Sequence, residues 1–143
     1  MNRVIKYKKL HPEAIIPSYA HSYGDAGMDL FSIEDTVIKP GERKVVRTGI
    51  AGAPPKNTVA LLLSKSGLAA KHGITHLGGV YDETYTGEIT ATLQNTGKEP
   101  FEIKKGNKIA QYVIVPVIYC KIKEVTELSD TVRGTGRMGS TGN

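Results

Sequence analysis

The chain has 143 residues, of which 39% are hydrophobic and 23% charged, with 16 Gly, one Cys and no Trp. That length suits one domain, and the composition is that of a globular protein rather than a disordered or disulfide-stapled one. The formal charge of +5 comes from 19 Lys and Arg against 14 Asp and Glu, with no run of about five or six like charges, so a nucleic-acid surface is a weak reading and a phosphorylated small molecule fits as well.

The chain opens with Met1-Asn2-Arg3-Val4-Ile5-Lys6, which lacks the apolar core of a signal peptide. No stretch approaches the ~18 apolar residues that span a bilayer. An intracellular, cytoplasmic protein with no membrane partner is the expectation, with nuclear and viral settings left open. The first polar cluster is Asp25-Ala26-Gly27-Met28-Asp29-Leu30. Two acids flank a glycine at a strand entrance, and alone this is an ordinary Asp/Gly turn. Val37-Ile38 and Val45-Val46 are apolar pairs separated by the turn Lys39-Pro40-Gly41-Glu42. A second turn, Ala53 to Asn57, precedes a strand over Thr58 to Leu63.

Ser64-Lys65-Ser66-Gly67-Leu68 follows. Ser66 is placed as the cap of a short helix through Leu68, Ala69, Ala70 and Lys71, ended by Gly73. Free N–H groups at its start suit an anion, and a plain helix cap explains the segment equally well. Gly-x-x-x-x-Gly-Lys-Ser/Thr is absent, so this is not a P-loop. Gly78 to Glu88 has the pattern of a hairpin with a tight entry and exit and a polar tip. Glycines at its entry would let a flat ligand lie on the backbone.

Ile89, Ala91 and Leu93 alternate with Thr90, Thr92 and Gln94, the pattern of a half-buried strand. Turns at Asn95 to Lys98 and Lys105 to Lys108 bracket the next segment. The run from Tyr112 to Ile122 is apolar in both parities, as in a strand covered on both faces. Pro116 marks a bulge or edge within it, and Cys120 is expected to be a small buried hydrophobe. From about Ser129 to Asn143 the chain is Gly, Ser and Thr with two arginines and almost nothing apolar. Such a tail cannot bury itself and is either disordered or ordered by a ligand. Short strands at roughly ten-residue spacing predict an all-β sandwich or barrel.

Each polar cluster alone is weak. In this order they resemble the trimeric dUTPases, a family with five motifs. Asp25 to Ser32 resembles the first, usually Ala-Gly-x-Asp-Leu. Ser64 to Leu68 resembles the second, usually Pro-Arg-Ser-Gly-Leu. Gly79 to Glu88 resembles the third, usually Gly-x-Ile-Asp-x-x-Tyr-x-Gly-Glu, and Gly106 to Gln111 the fourth, usually Gly-Asp-Arg-Ile-Ala-Gln. Arg133 to Gly142 resembles the fifth, usually Arg-Gly-x-Gly-Gly-Phe-Gly-Ser-Thr-Gly.

The resemblance implies a distorted jelly-roll-like β-sandwich with one short helix, a single domain over 1–143 whose residues from about 129 to 143 form a flexible lid, and a homotrimer with shared active sites. It implies hydrolysis of dUTP to dUMP and pyrophosphate, which keeps uracil out of DNA and supplies dUMP for dTMP synthesis. Asp82 matches the acid that activates water, and Asp29 the acid that supports the site. Tyr85 matches the ring beneath the deoxyribose, with backbone around Gly79 and Tyr81 reading uracil. Lys65, Ser66, Gly67 and Gln111 match phosphate binders. Arg133, Met138, Gly139, Ser140 and Thr141 match the lid over base and γ-phosphate. Mg2+ is implied as cofactor, carried mainly by the triphosphate, with Asp29 reached through water and no firm protein ligand.

Several positions depart from the family pattern. Lys65 replaces Arg, Ser64 replaces Pro, and Asn107-Lys108 replaces Asp-Arg, which predicts loss of an ion pair. Tyr81 stands for Ile or Val, His76 for an Asn common near the base, Arg137 for Gly, and Met138 for the Phe that stacks on uracil. A dCTP deaminase or bifunctional deaminase–pyrophosphatase on the same fold is the competing enzyme. A nucleotide-binding regulator without catalysis is the competing class, and a ligand-free structural sandwich is the remaining one.

Overall fold

Period-two alternation and polar turns build almost everything in the computed structural model, which describes residues 3–21, 24–132, 134 and 135. The elements in chain order are β1 (Lys6–Lys9), β2 (Gly27–Phe31), β3 (Thr36–Ile38), β4 (Arg43–Ala53), β5 (Thr58–Leu63), α1 (Ser66–His72), β6 (Ile74–His76), β7 (Val80–Tyr81), β8 (Glu88–Asn95), β9 (Phe101–Ile103) and β10 (Lys108–Pro116). One sheet has the order β1-β4-β8-β6 and a second has β2-β10-β5-β7, with a β3-β9 ribbon beside them. Every strand pair is antiparallel. The all-β sandwich with one short helix is as expected.

The core lies between the two sheets. Ile89, Ala91 and Leu93 face it from β8, Val46 and Ile50 from β4, Leu30 from β2, Ala60 and Leu62 from β5, and Ala110 and Tyr112 from β10. A fully buried Leu or Ile contributes about 1.5–3 kcal/mol relative to exposure. Asn95 ends the inward row of β8 as a fully buried polar residue. Its Nδ2 donates to the Ile38 and Glu99 carbonyls at 2.8 Å each, and its Oδ1 accepts the Gly97 N–H at 2.8 Å. One amide thereby ties β3 to the turn after β8.

β4 is long enough to require a kink. Its register against β8 shifts between Arg47 and Ala51. Gly49 sits there at φ 68, and its N–H donates to Glu88 Oε1 at 2.8 Å. A side chain at that position would be strained by φ and would press a Cβ to 3.0 Å from Ala14 Cβ.

Three local expectations need correction. The cap of α1 is Lys65, and no side chain caps it; Ser66 is already helical. The chain enters from β5 in extended geometry at Lys65, whose carbonyl accepts the Ala69 N–H at 3.0 Å, so the helix begins one residue earlier than the Ser66 cap implied. Gly73 does end the helix, at φ 68. The segment 78–88 is not a hairpin. β7 pairs with β5 and β8 with β4 and β6, so Asp82 to Gly87 crosses between the sheets. The Leu62 N–H donates to the Gly79 carbonyl at 2.8 Å, which draws this strand onto β5.

The third correction concerns the apolar run of β10. Its pairing ends where β5 begins, at Pro116 opposite Thr58. Pro116 is therefore the last residue of the strand, and the bulge lies between Lys108 and Ala110. Beyond it no strand remains to pair with, and Ile118, Ile122 and Leu128 are 88%, 100% and 88% exposed. Cys120 is exposed with them, not buried.

Candidate active site

The register of the second sheet assembles one cleft. Gln111 on β10 stands opposite Asp29 on β2 and opposite Leu63 on β5. Lys65 follows two residues after Leu63. With His21, Asp25 and Gly27 these side chains line a cleft of about 480 Å³. Gly27 is needed for this contact: a Cβ there would lie 2.7 Å from Gln111 Oε1. Gln111 Nε2 in turn donates to the Ser64 carbonyl at 2.9 Å, which fixes the entry to α1. Ser66 and Gly67 open that helix with no side-chain cap on their N–H groups, and space beside Gly67 is free.

Asp29 is the buried charge of the cleft, at 4% exposure. Lys65 Nζ donates to its Oδ1 at 2.5 Å. Lys108 Nζ stands 2.7 Å from Oδ2 as an ion pair that lacks hydrogen-bond alignment. Burial alone would push this carboxyl up, but Lys108 and Lys65 outweigh it and hold it below its ordinary value. Asp29 is thus a carboxylate clamped by two ammonium groups. The loss of an ion pair expected from Asn107-Lys108 is not what the structure has. Lys108 makes one with Asp29, and Asn107 Oδ1 accepts the Lys104 N–H at 2.9 Å within its own turn.

At the rim, the His21 N–H donates to Asp25 Oδ2 at 2.8 Å, and the ring Nδ1 lies 3.0 Å from the same oxygen. The backbone donor and then the ring hold the Asp25 carboxyl below its usual range.

The residues of the third motif stand elsewhere. β7 and β2 are opposite edges of the second sheet, three strand spacings or about 14 Å apart. Asp82 is exposed at the start of the crossing segment. Tyr85 is 40% exposed, yet its ring is held. Its hydroxyl donates to the Glu88 carbonyl at 2.7 Å, and its ring meets Tyr81 edge-on with centroids 5.3 Å apart. Tyr81 continues the stack to buried Tyr112 at 5.6 Å, and its hydroxyl donates to the Thr90 carbonyl. Gly87 must remain small, since a Cβ would lie 2.7 Å from the Tyr85 hydroxyl.

The structure therefore brings together Asp29, Lys65, Ser66, Gly67 and Gln111, and separately Gly79, Tyr81, Asp82 and Tyr85. Arg133, Met138, Gly139, Ser140 and Thr141 lie outside the described residues. Lys108 as a partner of Asp29, and a contact between Ser64 and His76, were missed from sequence. Both depend on strand pairing that no local pattern announces.

The dUTPase family profile matches residues 13–142. The deoxyuridine 5'-triphosphate nucleotidohydrolase of Clostridium kluyveri is 55% identical over 137 residues, covering 94% of this chain and 95% of that one. The protein of the same name from Clostridioides difficile is 51% identical over 140 residues, covering 96% and 97%. The chain belongs to the dUTPase family. Among solved structures, the Staphylococcus bacteriophage 80alpha dUTPase with dUPNHPP superposes with a TM-score of 0.92 at 29% identity, covering 99% of this chain and 100% of that one. A mutant dUTPase from phage phi11 of S. aureus, whose structure is described as showing coordination of a structural Mg(II) ion, gives 0.82 at 27% identity, over 89% and 99%.

Asp29 on β2 and Asp82 after β7 lie towards opposite edges of one sheet, and the cleft lined by Asp29 does not include Asp82. Among the described residues no group of three His, Cys, Asp or Glu could hold a metal ion, and both oxygens of Asp29 face lysines. Also among them, no helix is long and apolar enough to cross a membrane.

Proposed function

We propose that the protein hydrolyses dUTP to dUMP and pyrophosphate. The observation that carries this is the family match over residues 13–142, with a cleft lined by Asp29, Lys65 and Gln111 beside the uncapped start of α1. The phage relative's complex with dUPNHPP supports a deoxyuridine nucleotide as ligand.

In the proposed reaction the oxygen of water bonds to the α-phosphorus and the bond to the bridging oxygen breaks. Pyrophosphate leaves with that electron pair, and Asp82 takes the water's proton. An exposed carboxylate suits this role once substrate covers it. Lys65, Ser66, Gly67 and Gln111 hold the phosphates by positioning and charge. Lys65 has three donors, so it can face phosphate while keeping its bond to Asp29. Tyr85, held by Tyr81 and Glu88, offers a ring face to the deoxyribose and leaves no place for a 2′-hydroxyl. Main-chain groups at Gly79 and Tyr81 read the base. The tail residues Arg133, Ser140 and Thr141 close on the γ-phosphate, with Met138 and Gly139 over the base.

The donor set fits magnesium carried by the triphosphate. A hard cation that keeps its waters needs few protein ligands, and Asp29, with a lysine at each oxygen, would hold it only through water. When bound, it neutralises charge on the phosphate oxygens.

The division of acids supports a homotrimer whose protomers complete each other's sites. The exposed apolar run after Pro116 supports it too, because such a run gains by covering itself on a neighbour. The chain then acts as one domain with a C-terminal lid, in the cytoplasm. Pyrophosphate release from dUTP, dCTP, dTTP and UTP, before and after chelation of magnesium, tests the reading for wild type and Asp82→Asn. Release from dUTP alone, lost on chelation and cut at least about 100-fold by the substitution, is expected. Full activity in Asp82→Asn removes the assigned acid.

A further inference from the structure

Asp82 and Glu83 are adjacent acids, and the structure gives them different surroundings. Asp82 is exposed, whereas Glu83 is half-buried. The Tyr85 N–H donates to the Asp82 carbonyl at 3.0 Å, so residues 82–85 form a turn with Glu83 at its tip. The Glu83 carboxylate accepts the backbone N–H of Asn57 through Oε2. An ionised carboxylate can only accept, and its bond to a backbone N–H is charge-assisted.

Asn57 is a firm anchor. Among the described residues it is the non-glycine at positive φ, 61, a conformation that Asn tolerates better than most side chains. Its turn is held by the Pro55 carbonyl, which accepts the Thr58 N–H at 3.1 Å and the Thr58 hydroxyl at 2.5 Å. Thr58 is buried and stands opposite Pro116, so β5 starts and β10 ends here. The Asn57 carbonyl accepts the Val117 N–H at 3.1 Å, which ties the exit from β10 to the same residue. Further along that exit, loss of surrounding water, then Glu83 and Asp82, raise the Tyr119 phenol above its ordinary value. A neutral hydroxyl therefore stands beside Glu83 as well. The start of the turn otherwise rests on β7, a strand of two residues.

We propose that Glu83 is a positioning residue for the reaction: docked on Asn57, it fixes the turn against the joined ends of β5 and β10, and with it the direction in which Asp82 presents its carboxylate. This rests on the reading of Asp82 as the acid that takes the water's proton. Tyr85, at the other end of the turn, has its own anchors in Glu88 and Tyr81. Loss of the brace therefore displaces the acid and leaves the ring beneath the sugar in place.

The test measures kcat and KM for dUTP with magnesium, for wild type, Glu83→Ala, Glu83→Asp, Glu83→Gln, Asp82→Asn and the double variant of Asp82→Asn with Glu83→Ala. Glu83→Ala lowers kcat about 10- to 100-fold, the scale of a small misplacement of a reacting group, and changes KM by less than about 3-fold. Glu83→Asp keeps the charge but falls short of Asn57, so it behaves like Glu83→Ala. Glu83→Gln keeps the reach without the charge and restores most of kcat. In the Asp82→Asn enzyme, adding Glu83→Ala lowers kcat by less than about 3-fold, because the brace acts through the acid it positions. Unchanged kcat in Glu83→Ala overturns the proposal, and so does an undiminished further loss in the double variant. If Glu83→Ala fails to fold, a Glu83→Asp enzyme as fast as wild type, or faster than Glu83→Gln, overturns it instead. A wild type that does not hydrolyse dUTP, or a fully active Asp82→Asn, defeats the reading of the acid itself, which is a distinct result.

Discussion

Replacing Asp29 by Asn keeps the shape of the cleft and removes the charge between two lysines. At contacts of 2.5 and 2.7 Å, each ammonium gains roughly 6 kcal/mol of gross attraction at an effective dielectric near 20. Desolvation of a carboxylate only 4% exposed offsets most of it. The asymmetry lies in what remains after the substitution: two partly buried ammonium groups facing each other with no anion between. Removing one member of a buried pair costs about 3–5 kcal/mol. The lower end applies here, because the Lys65 and Lys108 side chains are 29% and 46% exposed and water screens them. The expected loss is therefore about 3 kcal/mol, or about 10 °C in Tm for a chain of this length. Urea unfolding and thermal scans at fixed protein concentration measure it. Adding Lys108→Met removes one stranded charge and should recover part of the loss. A cost below about 0.5 kcal/mol, or a further loss on adding Lys108→Met, refutes the reasoning. The pH dependence has a fixed sign. Asp29 is held below its ordinary value of 3.8, so its stabilisation is complete above about pH 4 and is lost as pH falls through the lowered folded value. Asp29→Asn should blunt that acid sensitivity.

Asn95→Ala removes an amide that satisfies three backbone groups, one in a buried and two in part-buried bonds. At about 1 kcal/mol for each bond it costs about 3 kcal/mol in urea unfolding, and Asn95→Asp costs more by setting a carboxylate against two carbonyls. Gly73→Ala forces a side chain into φ 68 and drives a Cβ to 2.6 Å from the Gly97 nitrogen. It should lose at least about 1 kcal/mol in the same assay, while Gly67→Ala, with open space around it, should leave stability nearly unchanged.

The strands legible in the sequence were those whose evidence is local. The alternation from Ile89 to Gln94 needs no partner to be recognised, and it became β8 as read. Turns at Lys39 to Glu42 and Asn95 to Lys98 rest on residue chemistry that acts within the turn. What depended on a distant partner was lost. β7 is two residues long, and only the pairing of Val80 with Leu61 and of Tyr81 with Ala60 decides that it joins β5. The apolar run beyond Pro116 is indistinguishable by composition from a paired strand, because composition does not say that β10 pairs with β5 or in which register. Lys108 belongs to Asp29 only after β2 and β10 are laid side by side. The cleft residues Asp29, Lys65 and Gln111 could be grouped beforehand only through the family resemblance, since in sequence they belong to three separate segments.

β6 closes one sheet and β7 closes the other, and Gly78-Gly79 lies in the connection between these two margins. Each of these short strands has a neighbour on one side only. A changed side chain there, such as His76 or Tyr81, must be accommodated by a few local contacts rather than by an interior strand. This margin can drift through evolution and be retuned by a designer while β4, β5, β8 and β10 keep their sequence.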